Sequence, residues 1–325
     1  MERGEPTSFD FPAYLEAKFA IDSASLNPPL YAKFQDHLRH IVDPRVLDLG
    51  TGTGAMLRRI IELELSGLVQ LVGLDQEEQN LVAAVDRIEQ ALKDRGYNIA
   101  EKRESLEAKT IRAKKGGKAT RVELRQGDIL DTRTIGTLES FHCVTAHAFM
   151  DLMPLKRAVA LIRTLLKADG VFYSTLNYDG LTVLLPEYAE ASFERRLLRI
   201  YNRSMERRRS RGSRTGGSLS GRRLYRALLE GGFAILGMGP SDWNVSPSGD
   251  GYDEEQKLFL TAIISMIERE ASRLRTGSGA GKPAGADPII DPQLLADWYI
   301  DRLEAVQKDN LSLIVHQIDL LARPA

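Results

Sequence analysis

The chain has 325 residues, 43% of them hydrophobic and 27% charged, enough for one large domain with additions or for two domains. Its 44 Lys and Arg against 45 Asp and Glu leave a formal net charge of -1, so no global field draws in nucleic acid or an anionic membrane. The single cysteine, Cys143 in an apolar run, excludes an intramolecular disulfide and a cysteine-built metal site, and it reads as a buried, inert thiol. No apolar run is long enough to span a bilayer, and Met1-Glu2-Arg3-Gly4-Glu5-Pro6 lacks the apolar core of a signal peptide. A soluble, cytoplasmic protein is expected.

In chain order, Phe11, Tyr14, Leu15 and Phe19 fall at helical spacing after Pro12, and Leu30, Phe34, Leu38 and Ile41 mark a second helix between Asn27-Pro28-Pro29 and Asp43-Pro44. Residues 1–43 are thus expected to form an N-terminal helical lid. The run Val46-Leu47-Asp48-Leu49 is a strand carrying one acid, and three glycines follow at alternate positions, Gly50, Gly52 and Gly54. Ala55–Ser66 reads as a helix ended by Gly67, and Leu68–Asp75 as a buried strand closing on an acid. Leu81, Val85, Ile88 and Leu92 share one helix face. This β-α-β-α order predicts a parallel sheet with helices on both faces.

Residues 94–119 are charged and poorly periodic. Lys109, Arg112, Lys114, Lys115 and Lys118 around Gly116-Gly117 predict a mobile basic loop rather than a polyanion contact. Strands are expected at Arg121–Gln126, Phe141–Phe149 and Val171–Asn177, with a helix over Leu155–Ala168 between the last two. Ala189–Arg211 predicts one long helix within an insertion over 181–215. Its end, Arg207-Arg208-Arg209-Ser210-Arg211, fits a solvated helix terminus favoured by the dipole. A helix over Gly221–Glu230, a strand over Phe233–Met238, a loop over Ser241–Asp250 and a helix over Leu258–Leu274 follow. A Gly-, Ala- and Pro-rich linker spans 275–288, then come a helix over Leu294–Val306 and a final strand over Leu311–Leu321. The expected division is a core over 44–240, a helical addition over 241–310 and the last core strand in 311–325.

A strand, a glycine turn and a helix let the backbone approach a nucleotide-like ligand closely. Three acids fall at equivalent places: Asp48 in the first strand, Asp75 ending the second and Asp128 after the third. A carboxylate at the end of the second strand suits a ribose diol. Asp128 suits an exocyclic amine such as that of adenine, and Asp48 supports the loop and favours a cationic ligand.

The series Val46-Leu47-Asp48-Leu49-Gly50-Thr51-Gly52-Thr53-Gly54, Gly73-Leu74-Asp75, Gln126-Gly127-Asp128-Ile129 and Leu165-Leu166-Lys167-Ala168-Asp169-Gly170-Val171 resembles the class I S-adenosylmethionine (SAM) dependent methyltransferases. The resemblance covers roughly residues 45–177. It implies that the loop Gly50, Thr51, Gly52, Thr53, Gly54 approaches the methionine part and ribose of SAM. It also implies that Asp75 binds the ribose hydroxyls, that Asp128 meets the adenine amine, and that Gln76 and Ile129 flank the adenosine. Ala146-His147-Ala148-Phe149 matches the family's fourth motif, so Ala146, His147 and Phe149 are candidate cofactor contacts. Asn177-Tyr178-Asp179-Gly180, Ser241-Asp242-Trp243 and Val315–Asp319 resemble a bacterial group of class I methyltransferases with no assigned substrate. The implied fold is a Rossmann-like, doubly wound α/β sheet of seven strands, the last antiparallel, with helical caps.

The sulfonium methyl is already activated, so the protein must chiefly align the acceptor for in-line attack. His147 and Asp151 are candidate bases for an oxygen acceptor, with a structural role for each as the alternative. Asn177, Tyr178 and Trp243, and Tyr14 and Phe19 from the lid, are candidate acceptor contacts. No metal-ligand spacing is present. The expected reaction is methyl transfer from SAM, leaving S-adenosylhomocysteine, to an O or N atom of a small molecule. The alternatives are an RNA or protein methyltransferase using the basic segments 109–121 and 203–226, a non-catalytic SAM-binding protein, and an NAD-dependent dehydrogenase. Oligomeric state, a homodimer included, stays open.

Overall fold

The computed structural model describes residues 10–105, 108–276 and 290–325. Met1–Pro6 and the expected linker from residue 277 onward lie outside the described residues.

Three short helices open the chain: α1 (Phe11–Ala17), α2 (Phe19–Ser25) and α3 (Pro28–Arg39). The first was expected to continue as one helix through Phe19, but it breaks at Lys18. Asn27 caps α3 by accepting from Leu30 N at 3.3 Å, with prolines in the first turn, where a missing N–H costs nothing. The core then runs β1 (Arg45–Leu49), α4 (Ala55–Ile61), β2 (Leu68–Asp75) and α5 (Glu78–Asp94). The helix expected to reach Ser66 stops at Ile61, and Glu64 takes a positive φ.

The basic stretch expected as a loop forms a hairpin, β3 (Asn98–Glu104) and β4 (Lys109–Lys115), which extends the sheet through β5 (Lys118–Gln126). Ile111 and Ala113 are buried between exposed Arg112 and Lys114, a period-2 pattern carried by only two apolar residues. Next come α6 (Thr132–Gly136), β6 (Phe141–His147), α7 (Leu155–Leu165) and β7 (Leu166–Leu185). β7 does not end at Tyr178-Asp179-Gly180 as expected. It bends there, with positive φ at Leu176 and Gly180, and continues against the last strand because Thr182–Leu185 find partners there.

The insertion holds α8 (Ala191–Arg207), shorter than the expected helix, and a small hairpin, β8 (Arg209–Ser210) and β9 (Ser213–Arg214). The chain closes with α9 (Ser220–Glu230), β10 (Phe233–Pro240), β11 (Trp243–Val245), α10 (Glu254–Thr276), α11 (Pro292–Gln307) and β12 (Ser312–Pro324). β11 corrects the loop expected over Ser241–Asp250, since Trp243–Val245 pair with β12.

The sheet is mixed. β5, β2, β1, β6 and β7 are parallel neighbours, and β12 lies antiparallel between β7 and β10. The seven strands expected from the sequence are therefore present in the order β5-β2-β1-β6-β7-β12-β10, with only β12 reversed among them. The β4-β3 hairpin brings the path to nine strands, and β11 is a tenth on the side of β12.

Leu30, Phe34 and Leu38 of α3, Met56–Ile61 of α4 and Leu81–Leu92 of α5 pack on one sheet face with Val46, Leu71 and Val122. Helices α7 and α9 cover the other face through Val159, Ile162, Leu224 and Leu228 against Leu47, Leu49 and Phe172. A third apolar cluster joins both ends of the chain: Tyr14 and Ile21 meet Trp243, Phe259, Trp298 and Val315. Among the described residues no helix is long and apolar enough to cross a membrane.

Strand order reverses between β1 and its two neighbours, one reached through α4 and the other later in the chain. Ligands of open α/β sheets bind beyond the carboxyl ends of the strands at such a switch point. The glycine turn leaves β1 there.

Candidate active site

Gly50, Gly52 and Gly54 all have positive φ, +63°, +54° and +82°, a region that side chains with a Cβ enter at a cost. A Cβ on Gly50 would lie 2.2 Å from the Phe149 ring, and one on Gly52 would lie 2.9 Å from Leu15. Gly54 faces inward, where a Cβ would meet Ile88 at 2.8 Å. The glycines thus let the turn pass between the end of β6 and the N-terminal helices.

Beside the turn is a cavity of about 320 Å³, in the range of small-molecule pockets. Of the residues expected at a cofactor, Asp48, Gly50–Thr53, Asp75, Gln76, Ile129, His147 and Phe149 line it. Phe11, Leu15, Lys18 and Asp22 wall it from α1 and α2, and Ser210 reaches it from the β8-β9 hairpin. Gly54 and Ala146, also expected at the cofactor, lie behind this surface; Ala146 is buried in the core.

Asp48 accepts from the Thr51 and Thr145 hydroxyls, both at 2.7 Å. Burial pushes its carboxyl up to about 6, although these two hydrogen bonds oppose the shift. Asp75 accepts from Gly52 N at 2.8 Å, Glu77 N at 2.9 Å and Asn80 Nδ2 at 3.2 Å. A carboxylate offers about four lone-pair sites, so Asp75 both pins the glycine turn and keeps acceptor capacity. Asp128 does not line the cavity. Its Oδ2 pairs with Arg211 Nη2 at 2.7 Å and its Oδ1 accepts from Leu130 N. The arginines expected at a solvated helix end fold back instead, with Arg208 on Asp151 at 3.2 Å.

His147 lies in the wall, but both ring nitrogens are engaged. Nε2 is 3.1 Å from Asp22 Oδ2 and Nδ1 is 2.6 Å from Thr175 Oγ1. A carboxylate only accepts, so Nε2 carries the hydrogen and Nδ1 takes the threonine hydroxyl's. Burial and the nearby Arg59 lower the imidazole to about 4 despite Asp22. Burial alone would raise the Asp22 carboxyl, but Lys18, His147 and Arg59 outweigh it and hold it well below the usual range. An imidazole with no free nitrogen positions its neighbours rather than taking a proton. Asp151 sits beside Leu152 and Met153, which line the cavity. Burial raises it to about 6 against the pull of Arg208.

The expected acceptor contacts are placed elsewhere. Trp243 is buried, its indole N–H donating to Asp22 Oδ1 at 2.9 Å. Asn177 is spent on Ser174 and Ile318 O, and the Tyr178 hydroxyl on Asn202 and Thr182. Tyr14 stacks on Phe259, and Phe19 lies under the guanidinium groups of Arg58 and Arg59. None of the five lines the cavity. Sequence reasoning missed Lys18 and Asp22. Their signal was a cation and an acid four residues apart on an otherwise apolar helical face.

A protein-family model described as a methyltransferase domain matches residues 42–197, a little under half of the chain. Residues 42–197 carry the pattern of a methyltransferase domain. A search of curated proteins found no match. Among solved structures the chain is similar to a SAM-dependent methyltransferase from Thiobacillus denitrificans in complex with S-adenosylhomocysteine, at 13% identity and TM-score 0.42, covering 95% of this chain and 97% of that one. It is also similar to a SAM-dependent methyltransferase from Geobacter sulfurreducens, at 13% identity and TM-score 0.41, covering 95% and 98%. A third is geranyl diphosphate C-methyltransferase from Streptomyces coelicolor, at 12% identity and TM-score 0.43, covering 99% and 88%.

The residues present fit SAM as a cofactor. The glycine turn leaves no room for a Cβ on the side of Phe149 and Leu15, and Asp48 and Asp75 supply negative charge along the same wall.

Proposed function

We propose that this methyltransferase acts on a small-molecule acceptor, at an oxygen or nitrogen atom. The observation that carries the proposal is the lining of the cavity: beside the glycine turn it is walled by Phe11, Leu15, Lys18 and Asp22 from the N-terminal helices and by Leu152, Met153 and Ser210 from later segments. We take α1, α2 and the β8-β9 hairpin as a lid over the site. A concave site of about 320 Å³ walled from several elements suits a metabolite better than a folded macromolecule.

The basic segments support the same reading. Lys109 pairs with Glu78 and Glu104, Arg112 with Glu101 and Lys115 with Glu64, while Arg208 and Arg211 pair with Asp151 and Asp128. Cations already matched by carboxylates offer a polyanion little net field.

When bound, SAM supplies an activated methyl group on a sulfonium. Gly50–Thr53, Asp75 and Ile129 would hold it. The protein's own contribution is to align the acceptor and exclude water. Of the two candidate bases Asp151, next to the lining residues Leu152 and Met153 though not itself in the wall, fits better, because a carboxyl raised to about 6 is mostly ionised at neutral pH and more basic than an ordinary one, whereas His147 has no free nitrogen.

The test has two stages. Thermal shift with S-adenosylhomocysteine should stabilise the protein where NAD does not. A labelled-methyl assay should then place label in the small-molecule fraction of a cell extract. Label appearing in RNA or protein instead would refute the proposal. Stabilisation without transfer to any fraction would point to a non-catalytic SAM-binding protein.

A further inference from the structure

The inner end of the cavity holds a buried ionic cluster drawn from four separate parts of the chain. Lys18 Nζ lies 2.8 Å from Asp22 Oδ2, and their side chains are 8% and 1% exposed. Asp22 also accepts from His147 Nε2 and Trp243 Nε1, so its acceptor sites are nearly filled. Arg59, 3% exposed, donates to Ser23 Oγ and Phe19 O. Two buried cations thus stand around one carboxylate, beside an uncharged imidazole.

Lys18 is the member with capacity left. An ammonium has three donors, and among the described residues Asp22 is its only hydrogen-bonding partner. The ammonium also lies over the Trp243 ring, 5.6 Å from its centroid, and hydrogen-bonding capacity remains on this buried group that lines the cavity. Burying a cation with unspent donors is costly unless an anion meets it.

We infer that Lys18 is the recognition residue for a carboxylate in this pocket, namely that of the cofactor's amino-acid end. The inference rests on the SAM reading of the cavity. Asp75 ends β2, the glycine turn follows β1, and His147 ends β6, with β1 paired between the other two. A cofactor with its ribose at Asp75 and its chain along the turn directs its amino-acid end toward β6, where Lys18 stands. Leu15, one helical turn before Lys18, already packs against Gly52. Asp22 is then a positioning residue that fixes the ammonium at the wall.

The test compares S-adenosylhomocysteine with 5'-methylthioadenosine, which keeps the adenosine and sulfur but lacks the amino-acid end. Isothermal titration of the full chain should show the wild type binding the first more tightly. Lys18→Met should weaken S-adenosylhomocysteine by about 10- to 100-fold, the size of a charge-assisted hydrogen bond. It should leave 5'-methylthioadenosine within about two-fold, and Lys18→Arg should restore much of the loss. Equal weakening of both ligands, or of neither, overturns the inference and leaves the cofactor assignment standing. Wild type that binds neither ligand overturns the cofactor assignment itself. A second measurement needs no variant: the carboxamide of S-adenosylhomocysteine should bind wild type about 10- to 100-fold more weakly, by the same loss. Equal affinity for acid and amide refutes the inference.

Discussion

Gly50→Ala tests the turn at its tightest point. Two costs are separable. Alanine at φ +63° pays roughly 1–2 kcal/mol for the left-handed region. Its Cβ, 2.2 Å from Phe149 Cδ2, forces the ring or the turn to move, and such overpacking costs about 1–3 kcal/mol. The total, roughly 2–5 kcal/mol, is a large part of a stability of about 5–15 kcal/mol. Phe149 borders the cavity, so a displaced ring should also weaken S-adenosylhomocysteine. The measurement is urea unfolding of the wild type, Gly50→Ala, Phe149→Ala and the double variant. In the Phe149→Ala background the glycine substitution should cost only its backbone share, about 1–2 kcal/mol, leaving a coupling of about 1–3 kcal/mol. A neutral Gly50→Ala, or a cost that Phe149→Ala does not reduce, would refute the argument.

His147 is buried uncharged, at about 4 against its ordinary value of 6.5. The unfolded chain therefore binds the extra proton between those values, and the stability His147 lends is full above about pH 6.5 and is lost as pH falls toward 4. The stability advantage of wild type over His147→Gln should shrink over that window; a constant difference counts against a buried neutral imidazole. Asp48, raised to about 6, becomes a carboxylate as pH climbs through that value. Affinity for SAM, which carries the extra sulfonium charge, relative to net-neutral S-adenosylhomocysteine should then rise roughly three- to ten-fold, as about 1 kcal/mol of Coulomb attraction implies, and Asp48→Asn should flatten the profile. Arg211→Ala removes a pair with Asp128 whose side chains are 43% and 21% exposed. The change in unfolding free energy should stay within about 1 kcal/mol and shrink further in 1 M salt.

The cofactor side of the fold was legible because its signals are local. β1, the glycine turn and Asp75 are contiguous segments, and an apolar run ending on an acid needs no distant partner to be recognised. Strand direction followed from the β-α-β order for the same reason. What stayed hidden was set by pairing. The hairpin β3-β4 has two buried apolar positions, Ile111 and Ala113, and is held by its edge on β5. β11 exists because β12 offers Trp243–Val245 a partner. β7 outlasts its expected end because the same strand continues beside it. Tertiary context decides such strands more than their own propensity.

The acceptor side failed for a sharper reason. Tyr178, Asn177 and Trp243 were placed there as polar or aromatic groups near strand ends, yet each is consumed by a neighbour far along the chain. Trp243 donates to Asp22, 221 residues away, and Asn177 donates to Ile318 O, 141 residues away. The wall is instead built from Lys18 and Asp22, whose charges acquire meaning only when α2 folds against β6 and β11. A group with its hydrogen bonds filled by the protein cannot also serve a ligand. The residues that can serve a ligand in the cavity are therefore those the fold leaves with capacity, Lys18 first among them. Finding them takes the count of donors and acceptors across the whole structure.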